Sequence, residues 1–152
     1  MKFLNLTEGT FPINLAFEIE SLDVPNIGKL KGSIEVDLSI MRVSKNLLKS
    51  DGNIKGIFID ICQSCLKETD IYLKSKINVT LKDIDEVYSD SSDQDQTHYQ
   101  DLEYFNLRHF IEEEVALNYP DIVKCSGDCL EEEEITLKEK NLPFKKIRDL
   151  ID

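Results

Sequence analysis

The chain of 152 residues contains no tryptophan, only two histidines and only four cysteines. It also has no apolar run near the ~18 residues that a membrane-spanning helix requires, which excludes such a helix. Positive charge is scarce: 18 Lys and Arg stand against 30 Asp and Glu, for a formal net charge of −12. A protein that grips nucleic acid by neutralising phosphates needs a basic face, and this balance argues against one. Enzyme signatures are missing as well. There is no glycine-rich phosphate loop, no nucleophile elbow and no HExxH, and the many carboxylates form no interpretable acid–base pair. The expectation is a protein that is not an enzyme.

What remains is a globular composition, 41% hydrophobic and 32% charged, long enough to bury a core without disulfides. The expectation is one domain over 1–152. The opening residues, Met1 to Glu8, turn polar too soon for a signal peptide, so a reducing cytoplasm is the default compartment. There, paired cysteines point to metal or redox chemistry before disulfides.

Period-two alternation dominates the first half. Phe11, Ile13, Leu15, Phe17 and Ile19 alternate with polar or small residues, and Leu30, Ile34, Val36, Leu38 and Ile40 repeat the pattern. Asp51-Gly52 reads as a hairpin turn, after which Ile57, Ile59 and Ile61 lead into Cys62. A fourth strand places Ile71, Leu73, Ile77, Val79 and Leu81 on one face, with Lys74, Lys76 and Lys82 on the other. Short connections predict an antiparallel sheet with one packed and one wet face. From Asp83 to Glu103 the chain is rich in Asp, Ser and Gln and has no Lys or Arg. It reads as a mobile acidic loop at about 83–103, suited to a basic partner.

Helical period follows. Leu107, Phe110, Ile111 and Val115 form a stripe, with Leu117 at its margin, Asn106 as N-cap and Pro120 as stop. A short C-terminal helix is predicted from Pro143, with Phe144, Ile147 and Leu150 or Ile151 as its apolar side. The fold class is therefore α+β: a mostly-β antiparallel sheet or partial barrel, one main helix, a short C-terminal helix and a zinc-stabilised cysteine cluster.

That cluster would join Cys62-Gln63-Ser64-Cys65 to Cys125 and Cys129. Two close pairs can complete the tetrahedral Cys₄ shell of structural zinc, although the long separation between them requires the fold to bring them together. Metal-free thiols and iron–sulfur or redox use are the alternatives. A thioredoxin-like role needs the first cysteine at a helix N-terminus, whereas strand period follows Cys65. His98, in the acidic loop, and His109, beside the helical stripe, are candidate substitute ligands. Lys74, Lys76 and Lys82, and a second group at Lys145, Lys146 and Arg148, read first as solvated surface.

Three of these features, in this order, resemble the YceD-like family of large ribosomal RNA subunit accumulation proteins. They are Cys62-Gln63-Ser64-Cys65-Leu66 between strands; Glu112-Glu113-Glu114-Val115-Ala116-Leu117-Asn118-Tyr119-Pro120 followed by Cys125; and Leu142-Pro143-Phe144 with its short helix. Where many members continue with further cysteines, this chain runs from Cys129 into Leu130 and four glutamates. The resemblance implies a role in accumulation of 23S-type ribosomal RNA and large-subunit assembly, with no known reaction. With its acidic balance, the protein is expected to act through a basic ribosomal protein or assembly complex more readily than through RNA phosphates. The competing expectation is a zinc-stabilised acidic protein-binding module without a ribosomal role.

Overall fold

The computed structural model describes residues 3–87 and 96–125. The predicted C-terminal helix, Cys129, the acidic run at 131–134 and the Lys145–Arg148 group lie outside the described residues.

The main sheet is built from β2 (Ile13–Ile19), β4 (Ile34–Ser44), β5 (Leu47–Ile61) and β6 (Glu68–Asp83), each antiparallel to the next. A short β3 (Lys29–Leu30) continues the β4 position along the far half of β5. Alternation decides the faces. Ile34, Val36, Leu38 and Ile40 of β4, and Leu73, Ile77, Val79 and Leu81 of β6, are buried in one core. A small second sheet pairs β1 (Phe3–Leu4) with β8 (Phe105–Asn106).

The turn between β4 and β5 falls at Lys45-Asn46, and Asp51-Gly52 lies inside β5 opposite Ser39 and Leu38. The glycine is there for a close approach: a Cβ at Gly52 would collide with the backbone carbonyl of Asp37. This corrects the hairpin expected at Asp51-Gly52. The inward positions of β5 are Leu48, Ser50, Ile54 and Phe58, all buried, and the parity then brings Cys62 inside. Of the isoleucines leading to Cys62, Ile57 and Ile59 are half-buried and Ile61 is exposed.

The acidic segment differs from expectation. Residues 84–86 form a 3₁₀ turn capped by the Asp83 carboxylate. β7 (Thr97–Gln100) then pairs with β6 in parallel, Thr97 beside Thr80. The roughly dozen intervening residues supply the crossover that parallel pairing demands. Only 88–95, inside this segment, falls outside the described residues. What orders the rest is burial, because His98 and Leu102 are 5% exposed and Phe105 is fully buried.

The helix α1 (Leu107–Asn118) begins where the Asn106 side chain accepts the His109 backbone N–H. It ends at extended Tyr119 before Pro120, since proline disfavours helical geometry in its predecessor. Leu107, Phe110, Ile111 and Val115 join the core, while Leu117 is 69% exposed. No helix among the described residues is long and apolar enough to cross a membrane.

Candidate metal centre

Cys62 to Lys67 form the loop between β5 and β6. The Cys62 N–H donates to the Lys67 carbonyl and the Leu66 N–H donates to the Cys62 carbonyl, closing a tight turn. The turn forces Leu66 into the left-handed region at φ 60°. Cys62 ends inside and Cys65 swings back beside it, half-buried.

The third cysteine arrives from the far side of the helix. Beyond α1, Val123 is buried and its carbonyl accepts the Gln63 N–H at 2.9 Å, docking the 120–125 segment along the loop. Cys125 Sγ consequently lies 3.7 Å from Cys65 Sγ across 60 residues of sequence. The Sγ atoms of Cys62, Cys65 and Cys125 all fall within 4.8 Å of one another, and the group could hold a metal ion. Three thiolates converging on one point suit soft or borderline transition metals.

A staple sets the position of this arm. The Tyr119 hydroxyl donates to Asp60 Oδ2 at 2.5 Å and accepts the Gly28 N–H at 3.0 Å. Its ring meets Phe58 edge-on, centroids 5.3 Å apart. Burial, reinforced by the hydrogen bond to Asp60, pushes the phenol up to about 12. Gly28 has no room for a side chain, since a Cβ would come within 2.5 Å of the Ile59 carbonyl and 2.8 Å of the Tyr119 hydroxyl. Sequence reasoning missed this trio. Its only signal is a tyrosine wedged between helix end and proline.

The histidines are elsewhere. His98 is buried in β7, where Nδ1 meets Glu113 Oε2 at 2.6 Å and Nε2 meets the Gln100 side-chain amide at 2.8 Å. The Gln100 carbonyl oxygen is itself held by the Asn106 N–H, so the amide presents N–H to the ring. That assigns the neutral tautomer with its proton on Nδ1. Burial lowers the His98 pKa, partly offset by Glu113. Phe105 and Phe110 pack against the ring, and neither His98 nor exposed His109 belongs to the cysteine group. Glu114 is buried on the inner face of α1, and burial raises its pKa.

No curated protein and no solved structure matches the chain. The model of the family described as large ribosomal RNA subunit accumulation protein YceD matches residues 50–147, which take in most of β5, the cysteine loop, α1 and Cys125. With well over half of its length matched, the chain belongs to the YceD family.

Proposed function

We propose that this protein is a non-enzymatic factor that promotes accumulation of 23S-type ribosomal RNA and assembly of the large ribosomal subunit. It works in the cytoplasm through contacts with a ribosomal protein or assembly complex. The observation that carries this reading is the family match over residues 50–147, whose description names large ribosomal RNA subunit accumulation. The chain acts as one domain over 1–152.

Zinc is the metal we assign to the cysteine group, with Cys62, Cys65 and Cys125 as ligands and Cys129 as the fourth. The donor chemistry fits. With Zn–S near 2.3 Å, a tetrahedral shell puts its sulfurs about 3.8 Å apart, and Cys65 and Cys125 are 3.7 Å apart. The ion's work is structural: it ties the β5–β6 loop to the segment beyond α1, adding to the Gln63–Val123 hydrogen bond and the Tyr119 staple.

A second reading, a zinc-stabilised acidic protein-binding module with no ribosomal role, has an observation of its own. Ile61, Leu66 and Ile122 are 55%, 75% and 62% exposed, and each adjoins a residue of the site or its docking segment. An apolar rim of this kind fits a protein contact. Depletion separates the two readings. The first requires a selective fall in 23S-type RNA relative to the small-subunit RNA, restored by wild-type protein. Unchanged 23S-type RNA would leave the second.

A further inference from the structure

We propose that the outward face of β5 and β6 is a binding surface for single-stranded RNA. The net charge of −12 conceals how the charges are sorted. Six successive outward positions of β6 carry Tyr72, Lys74, Lys76, Asn78, Thr80 and Lys82, with no acid among them. Across the ladder, exposed Lys55 lies opposite Lys74, Asn53 opposite Lys76 and Lys49 opposite Thr80. Most acids of the same face gather toward the other edge, Glu18 opposite Glu35 and Asp37 opposite Ala16; the exceptions are Asp51 within β5 and Glu68 and Asp70 at the start of β6. The wet face thus has an acidic half on β2 and β4 and a basic stretch on β5 and β6 from Tyr72 to Lys82, bounded by Glu68 and Asp70 at the start of β6.

The lysine pair at the centre of the basic half is not explained by stability. Like charges directly opposite in a sheet destabilise it, and Glu35 flanks Lys55 only from the β4 side. Lys74 and Lys76 repeat along the strand at about 6.7 Å, comparable with the separation of successive phosphates in an extended strand.

Tyr72 makes the surface more than a cationic patch. It is 75% exposed, with half-buried Ile57 as its cross-strand neighbour. Beside it opens a hollow of about 640 Å³ that reaches Cys65 and Cys125 of the cysteine group; its wall mixes Lys31 and Lys67 with Glu68 and Asp70, Lys31 being paired with Asp70 at 3.2 Å, and Ile59, Thr69 and Tyr72 complete it. A lysine row tracking phosphates, an exposed ring for a base to stack on and an adjoining hollow form the combination that single-strand binders use. An acidic peptide would match the lysines but has no use for the ring and hollow together.

This surface deepens the proposed function by naming direct RNA contact, and it rests on that function only for the choice of RNA in the cell. The test uses the full chain and a fluorescein-labelled oligoadenylate, read by anisotropy from about 50 to 200 mM salt. Three to four phosphate contacts predict that log K falls against log salt with slope about −2 to −3. Lys74→Gln with Lys76→Gln should lower that slope by about 1.4, and Tyr72→Ala should weaken binding about tenfold with the slope unchanged. No binding at low salt would overturn the proposal and leave the lysines as guards of the β6 edge, whose Glu68–Val79 stretch has no outer strand among the described residues. Equal displacement by polyglutamate would overturn it in favour of an acidic protein partner. Loss of 23S-type RNA on depletion without RNA binding would sink this surface alone. Binding without that loss would sink only the ribosomal reading.

Discussion

Tyr119→Phe isolates the staple that carries the chain from α1 to Cys125. The variant keeps the ring, and with it the edge-on packing against Phe58, and removes one hydroxyl. Two hydrogen bonds go with it, one to the Asp60 carboxylate and one from the Gly28 N–H. A hydrogen bond to a charged group contributes about 1.5–3 kcal/mol, and Tyr119 is only 8% exposed, so the loss near pH 8 should be about 2 kcal/mol. The phenol's titration sets how the gap changes with pH. Its pKa is raised from 10.0 to about 12, chiefly by burial and then by the hydrogen bond to Asp60, so the folded chain resists deprotonation. A raised acid pKa means the unfolded state loses its proton first. The contribution is therefore complete below pH 10 and fades as pH climbs through 12. Urea unfolding of both proteins from about pH 8 to pH 11 should show the gap narrowing above pH 10. Other groups titrate there too, but equally in the two proteins. A gap constant across that range, or absent at pH 8, would refute the assignment of Tyr119 as the anchor.

Other consequences follow from single residues. Gly52→Ala should destabilise by about 2–3 kcal/mol in a thermal or urea melt, because the new Cβ meets the Asp37 backbone rather than a side chain that can move aside; a neutral result would contradict the close approach. Leu66→Gly should stabilise by up to about 1 kcal/mol, since a left-handed leucine that is 75% exposed gives up strain and loses little burial. Because burial lowers the His98 pKa, protonation favours the unfolded chain, so stability present above about pH 6.5 should be lost as pH falls through the lower folded value. Glu113 and the amide of Gln100 contact the ring, and His109 stands 6.1 Å away. Melts of wild type and His98→Gln across that range should show a steeper acid-side loss in the wild type than in the variant.

How far the fold can be read in advance depends on whether each strand's inward positions are apolar. In β4 and β6 nearly every second residue is aliphatic, so faces and antiparallel pairing are legible. In β5 the inward set includes Ser50, Gly52 and Gly56, which hides the period and makes Asp51-Gly52 resemble a turn. The helix is legible from its stripe, its Asn106 cap and Pro120. β7 is not, because its ordering comes from one histidine enclosed by Phe105 and Phe110 inside a segment of acidic composition. The convergence of Cys62, Cys65 and Cys125 follows from thiol chemistry, whereas the Tyr119 anchor that achieves it has almost no local signature. Net charge misleads for a related reason: a sum carries no information about which strand face each lysine occupies.

The most direct test of the metal centre is the metal content of purified wild-type protein beside Cys125→Ser. The proposed zinc site predicts one zinc per wild-type chain and its loss in the variant, since Cys125, with its Sγ 3.7 Å from Cys65 Sγ, is what brings the segment beyond α1 into the cysteine group. Wild-type protein that is folded and metal-free, or a variant that keeps its zinc, would contradict the shared site.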